Sequence, residues 1–185
     1  MILPIIAFGA EVLRKKCREI IKDDLKIDSL IENMYETMYA AQGVGLAAPQ
    51  INKSFRLFII DTNPFVDDEN PDLVGCKKTF INPKIISAKG EIWSFNEGCL
   101  SIPEVREDVS RKSVIEIEYY DKDFKKHIET YDGLNARVIL HEYDHIEGVL
   151  FTDKISPLRK RMIKGRLKDV SIGKFEPQYK MRITK

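Results

Sequence analysis

Long hydrophobic runs are missing from the 185-residue chain: nowhere do apolar residues continue for the roughly eighteen positions that a membrane-spanning helix needs. Met1 to Ala10 is apolar, but Pro4 and Gly9 interrupt it. No basic segment precedes it and no small-residue cleavage pattern closes it, so a secretory leader is not expected. Internal repeats and low-complexity tracts are absent as well, which sets aside solenoids and collagen-like chains. Cysteine is sparse. Cys17, Cys76 and Cys99 form an odd set without disulfide-framework spacing, which points to a reducing, cytoplasmic setting and leaves a thiolate free to act as a ligand. Histidine is equally scarce, three in all, yet two of the three stand four positions apart.

What is present is ordinary for a globular protein: 43% hydrophobic and 32% charged residues, in a length that suits one domain over residues 1–185. The net charge of +1 conceals an asymmetry. From Lys154 to the end there are eleven Lys and Arg against two acidic residues, so the earlier part is acidic. Residues 155–185 thus form a basic C-terminal helix and tail, either a solvated helix face or a docking surface for an anionic partner such as RNA.

The central stretch is His141-Glu142-Tyr143-Asp144-His145, in a segment whose apolar positions recur at helical spacing. On a helix, residues i and i+4 share one face, so His141 and His145 can aim two imidazoles at one ion. Glu142 is rotated away from that line but within reach of a water on the ion, where a general base belongs. Leu134, Val138, His141 and His145 continue one stripe; Asp132 can cap this helix and Gly148 can end it. A polar helix carrying these letters by chance is the alternative reading.

Two earlier stretches stand out. Ile27, Leu30, Ile31, Met34, Met38 and Ala41 mark a core helix, with Asp28 as N-cap and Gly43 as stop. Directly after it, Gly43-Val44-Gly45-Leu46-Ala47-Ala48-Pro49-Gln50 combines small residues that permit close approach with the amide donor of Gln50; alone it also reads as a tight turn into a strand. Residues 55–61 read as a buried strand and 63–78 as a polar surface insertion. Residues 79–86 and 91–95 read as short strands separated by Lys89-Gly90, and 114–120 with 126–131 as an antiparallel hairpin. His127 on that hairpin has no ligand-spaced partner. Ser156-Pro157 starts the basic helix, which runs to about Asp169, and the last residues read as loosely ordered.

The third ligand is open from spacing alone. The pattern that adds a third histidine fails because Phe151 occupies that position, leaving Asp169 from a later helix or Cys99 in Glu97-Gly98-Cys99-Leu100-Ser101. Cys99 is preferred, since a thiolate with two imidazoles leaves one coordination position for water, the catalytic arrangement. A metal-stabilised RNA-binding module and a generic metallopeptidase using Asp169 stand as the alternatives.

In this order and separation, the stretches 43–50, 97–101 and 141–145 resemble the three signature motifs of the peptide deformylases, a likeness running from about Ile2 to the basic helix. It implies an α+β fold, antiparallel strands packed around a central metal-binding helix, and removal of the formyl group from N-formylmethionine at the start of nascent chains. It implies Cys99, His141 and His145 as metal ligands, Glu142 as general base toward a metal-activated water, and the Gln50 amide and Leu100 N–H as oxyanion donors. Backbone groups of Val44, Gly45 and Gly98 would pair with an extended peptide. Val44, Leu134 and Val138 would form the methionine pocket, with Arg106 near its mouth. The resemblance further implies one divalent ion, Fe(II), with zinc or nickel able to occupy the same ligands. Formyl-methionyl nascent peptides would be the partners, and ribosome docking through the basic C-terminal helix becomes an expectation. One departure is Leu140, where many members carry glutamine.

Overall fold

The computed structural model describes residues 1–21, 27–66 and 73–183. The main sheet is an antiparallel meander of five strands in sequence order: β2 (Gly45–Ala47), β3 (Leu57–Asp61), β4 (Lys77–Cys99), β5 (Ile102–Tyr120) and β6 (Lys126–Asp132). Strand β3 is buried along its whole length, as the apolar run over 57–60 requires, with the buried Asp61 closing it. A separate parallel pair joins β1 (Ile5–Ile6) to β7 (Met181–Arg182).

Among the described residues, three α-helices complete the fold: α1 (Ile27–Ala40), α2 (Gly133–Ile146) and α3 (Pro157–Ser171). Met34 and Met38, one turn apart on α1, are fully buried with Leu46, Leu57 and Ile59. Burying such a side chain contributes about 1.5–3 kcal/mol. Helix α2 packs Ala136, Val138, Ile139 and Ile146 against Phe58, Phe80, Ile115 and Ile117 of the sheet. The expected α+β class with antiparallel strands therefore holds.

Several local expectations are corrected. Asp28 lies inside the first turn of α1 rather than ahead of it, where its carboxylate suits the positive end of the helix dipole. Gln42 (φ 54), not Gly43, takes the left-handed position after α1. The two short strands 79–86 and 91–95 are parts of the single strand β4, whose register against β5 shifts between Ile81 and Lys84, Ile85 and Ser87, and Lys89 and Ile92. Gly90 (φ +80) is a bulge residue rather than a turn, the extra-residue kink that lets a long strand bend without ending. Of the insertion expected over 63–78, Asn63–Phe65 forms a short 3-10 turn and Lys77 already pairs in β4; residues 67–72 lie outside the described residues.

The ends of α2 and α3 fall near the residues the sequence marks, except that the expected Asp132 side-chain cap is not made. Asp132 precedes α2 in an extended conformation, though its side chain makes no capping hydrogen bond, and Gly148 (φ +75) follows α2 just past its last turn. Ser156 Oγ accepts from Arg159 N at 3.3 Å ahead of Pro157, and α3 runs two residues past Asp169. The described part of the tail after α3 is tied down rather than loose. Ile5 N donates to the Lys180 carbonyl at 2.9 Å and Ala7 N to that of Arg182 at 3.0 Å, which returns residues 180–182 to the body of the protein. No described helix is long and apolar enough to cross a membrane.

Candidate metal centre and cleft

Cys99 ends β4 at the two-residue turn into β5, which presents its sulfur to the buried face of α2. Its Sγ lies 3.3 Å from His145 Nε2, and the rings of His141 and His145 stand 5.1 Å apart at 76°. The donor atoms of Cys99, His141 and His145 all fall within 4.8 Å of one another, the one such group among the described residues. Asp169 is not part of it and instead lies 3.8 Å from Lys174. His127 also stands apart, with its Nε2 2.7 Å from Asp121 Oδ2.

Glu97 lies two residues before Cys99, on the same face of the strand, and is 4% exposed. Its Oε2 accepts from His141 Nδ1 at 3.0 Å and Arg111 Nη2 at 2.9 Å; its Oε1 accepts from Arg111 Nε at 2.6 Å and Arg137 Nη1 at 2.9 Å. Burial alone would raise this carboxyl, but the Arg111 and His141 hydrogen bonds outweigh it and hold it well below the usual carboxylate range. With Nδ1 committed to Glu97, His141 keeps Nε2 for the sulfur side, the carboxylate–imidazole relay that orients many metal ligands. Arg111 also donates to Asp144 Oδ2 at 2.6 Å, so one guanidinium ties the β4–β5 hairpin to α2.

The donor set and its surroundings are those a cation needs. Burial disfavours a charged His141, yet its hydrogen bonds to Cys99 and Glu97 push it up to about 10. Burial and the neighbouring His141 hold His145 far below the usual histidine range, in the neutral form a ligand needs. Two imidazoles with one sulfur, their donor atoms within 4.8 Å of one another, suit a borderline divalent ion such as iron, zinc or nickel. His145 Nδ1 and Glu142 Oε2 are buried without a hydrogen-bond partner among the described residues.

Glu142 sits beside this group, 4% exposed, with its carboxyl raised to about 7, chiefly by burial and further by Glu97, against the pull of His141. A general acid–base group is most effective near that value. Gly45 is what admits it: a Cβ there would stand 2.5 Å from Glu142 Oε1. Gln50 is fixed by its own carbonyl end, since Oε1 accepts from Ala47 N at 2.8 Å; this turns Nε2 toward Cys99 Sγ at 3.5 Å and Ser101 Oγ at 3.3 Å.

A cleft of about 510 Å³ opens over these groups, within the range of about 300–1,000 Å³ typical of small-ligand sites. Val44, Gly45, Gln50, Gly98, Cys99, Leu100, Arg106, Val138, His141 and Glu142 line it, so most of the expected site residues come together. Leu134 and His145 do not line it: Leu134 sits about 6 Å nearer the start of α2 than Val138, and His145 is buried. Phe65, Phe95, Ile102 and Val105 supply the additional apolar surface. Arg106 lies across Gly98 and is tied to Asn96, its Nε donating to Asn96 Oδ1 at 2.9 Å. Leu140 packs in the apolar cluster behind the helix.

The sequence motifs assign no role to Glu97, Arg111 or Arg137. Two signals were available: Glu97 shares a strand face with Cys99, and Arg137 precedes His141 by one helical turn.

Three donors around a shared point, a relay carboxylate behind one of them and a second carboxyl facing an open cleft have the make-up of a metal-dependent hydrolase. The polypeptide deformylase family model matches residues 2–161. Peptide deformylase of Christiangramia forsetii is 59% identical over 188 aligned residues, spanning 98% of this chain and 96% of that protein. That of Flavobacterium johnsoniae is 57% identical, over 98% and 96%. Among solved structures, peptide deformylase from Legionella pneumophila aligns with a TM-score of 0.81 at 35% identity, covering 96% of this chain and all of that one. The Thermotoga maritima structure gives 0.76 at 38%, covering 85% and 99%. The chain belongs to the polypeptide deformylase family, enzymes that hydrolyse the N-terminal formyl amide of nascent peptides.

Proposed function

We propose that this protein, acting as one domain over residues 1–185, deformylates formyl-methionyl nascent peptides in the cytoplasm, with Cys99, His141 and His145 holding one divalent ion, Fe(II) in the cell and replaceable by zinc or nickel. The observation that carries the reading is the meeting of those three donors, with Cys99, His141 and Glu142 lining the cleft and His145 buried behind them. When bound, such an ion supplies Lewis acidity, bringing the pKa of water toward neutrality and polarising a carbonyl.

Glu142 takes the proton of the attacking water and delivers it to the amine nitrogen as the C–N bond breaks, so that formate and a free amino terminus leave. Gln50 Nε2 and the Leu100 N–H donate to the formyl oxygen as charge develops on it. Backbone groups of Val44, Gly45 and Gly98 pair with the peptide main chain. The position of β2 at the sheet edge supports this, because an extended peptide can add there as a further strand. Val44 and Val138 receive the methionine side chain, and Arg106 stands at the cleft mouth. The formyl carbon carries only hydrogen, so a narrow floor excludes acetyl by size.

Glu142→Ala tests the assignment. The variant is expected to retain its metal while losing turnover of a formyl-Met peptide; near-wild-type turnover would remove Glu142 from the base role. The same proposal includes ribosome docking through α3, supported by the exposure of Lys160, Arg161, Lys164 and Lys168. Salt-sensitive co-sedimentation with ribosomes, abolished when these four are changed to Glu, is the expected result, and unchanged co-sedimentation would count against it.

A further inference from the structure

The C-terminal segment beyond α3 lies outside the region that the family model matches, yet it reaches the cleft. Glu176, Gln178 and Tyr179 line one end of the cleft, and the Tyr179 hydroxyl donates to the Leu100 carbonyl at 2.7 Å. The half-buried phenol packs in the cluster that contains Leu100, Met38 and Leu46. The β1–β7 pairing immediately after it fixes where the ring can go.

The turn carrying Leu100 is held at several points. Phe8 N donates to the Ser101 carbonyl at 2.8 Å, Gln50 Nε2 donates to Ser101 Oγ at 3.3 Å, and the Leu100 side chain packs where a Cβ on Gly43 would stand, 2.7 Å from its Cδ1. Tyr179 supplies the remaining restraint, on the peptide plane that follows the Leu100 Cα. A two-residue turn has few backbone degrees of freedom, so fixing that plane restricts the plane before it, to which the Leu100 N–H belongs.

We infer that Tyr179 is a positioning residue for deformylation: its hydroxyl holds the Leu100 carbonyl and so keeps the Leu100 N–H aimed at the developing oxyanion, which makes the C-terminal segment part of the catalytic unit. The inference rests on the donor role of Leu100 proposed above. A directly acting oxyanion donor is worth about 10²–10³ in kcat, and loosening one without removing it costs less.

Tyr179→Phe removes the hydroxyl and keeps the ring. With a formyl-Met peptide, kcat is expected to fall about tenfold while KM stays within about twofold and metal content is unchanged. Amide hydrogen exchange at Leu100 and Ser101, which needs no turnover, is expected to speed up in the variant. Unchanged exchange overturns the inference whatever the activity. Faster exchange with wild-type kcat overturns it too, as does a loss of activity that follows metal loss or a rise in KM. Should the wild type fail to deformylate the peptide, the functional reading fails by itself. Exchange at Leu100 then decides the structural part: faster exchange upholds the restraint, unchanged exchange overturns it.

Discussion

Glu97→Gln removes the one negative charge shared by Arg111, Arg137 and His141, and its cost can be worked from the contacts. The carboxylate accepts four hydrogen bonds of 2.6–3.0 Å at a site where Arg111, Arg137 and Glu97 side chains are all at most 4% exposed. A glutamine of the same shape accepts on one side only and turns N–H donors toward the donors on the other. Breaking a buried pair in this way typically costs about 3–5 kcal/mol, because the remaining charges stay buried without compensation. For a domain of this size each kcal/mol moves Tm by about 2–4 °C, so the expected drop is about 6–20 °C. Metal affinity should weaken about 10- to 100-fold, since His141 loses the acceptor that orients it. The assay is thermal unfolding of metal-loaded wild type and variant, with metal titration of both. Glu107→Gln is the control: Glu107 is buried, but its Arg159 partner is about half exposed and can rehydrate. A drop below about 2 °C with wild-type metal affinity would refute the reasoning.

Gly45→Ala places a methyl 2.5 Å from Glu142 Oε1, 2.8 Å from its Cδ and 2.9 Å from its Cγ. Turnover is expected to fall about 100-fold or more, with stability reduced by about 1–3 kcal/mol and metal retained; wild-type kcat would contradict the placement of Glu142. Acid stability gives a third test, away from the candidate metal site. Burial would raise Glu129, but Lys78, Tyr131 and Tyr119 outweigh it and take the carboxyl from the ordinary 4.5 to about 2. The folded state therefore binds this proton less readily than the unfolded one, and the cluster's stabilisation is complete above about pH 4.5 and lost as pH falls toward 2. Urea unfolding at pH 6 and pH 3 should show wild type losing more stability than Glu129→Gln, whereas equal losses would contradict the pairing.

What could be read in advance was the chemistry carried by local spacing. His141 and His145 at i and i+4, the glycine-rich stretch ending in Gln50 and the cysteine at 99 each advertise a geometry set by a few neighbouring residues; the two histidines and Cys99 meet, and Gln50, Cys99 and His141 line the cleft. What depended on distant partners was harder to see. Lys89-Gly90 has the composition of a turn, and only pairing with β5 makes it a bulge. Glu97 looks like any strand carboxylate until Arg111 from β5 and Arg137 from α2 converge on it. The tail around Tyr179 has no periodicity of its own; its order comes from β1, more than 170 residues earlier. Leu134 shares a stripe with Val138, but the stripe outruns the cleft by a turn.

The central claim is that Cys99, His141 and His145 together hold the ion on which turnover depends. The most direct measurement is metal stoichiometry and formyl-Met peptide turnover on the same anaerobically purified sample, for wild type, Cys99→Ala and Asp169→Asn. One divalent ion per chain with turnover is expected in wild type and Asp169→Asn, with both lost in Cys99→Ala. Full metal and turnover in Cys99→Ala beside a metal-free Asp169→Asn would contradict the account.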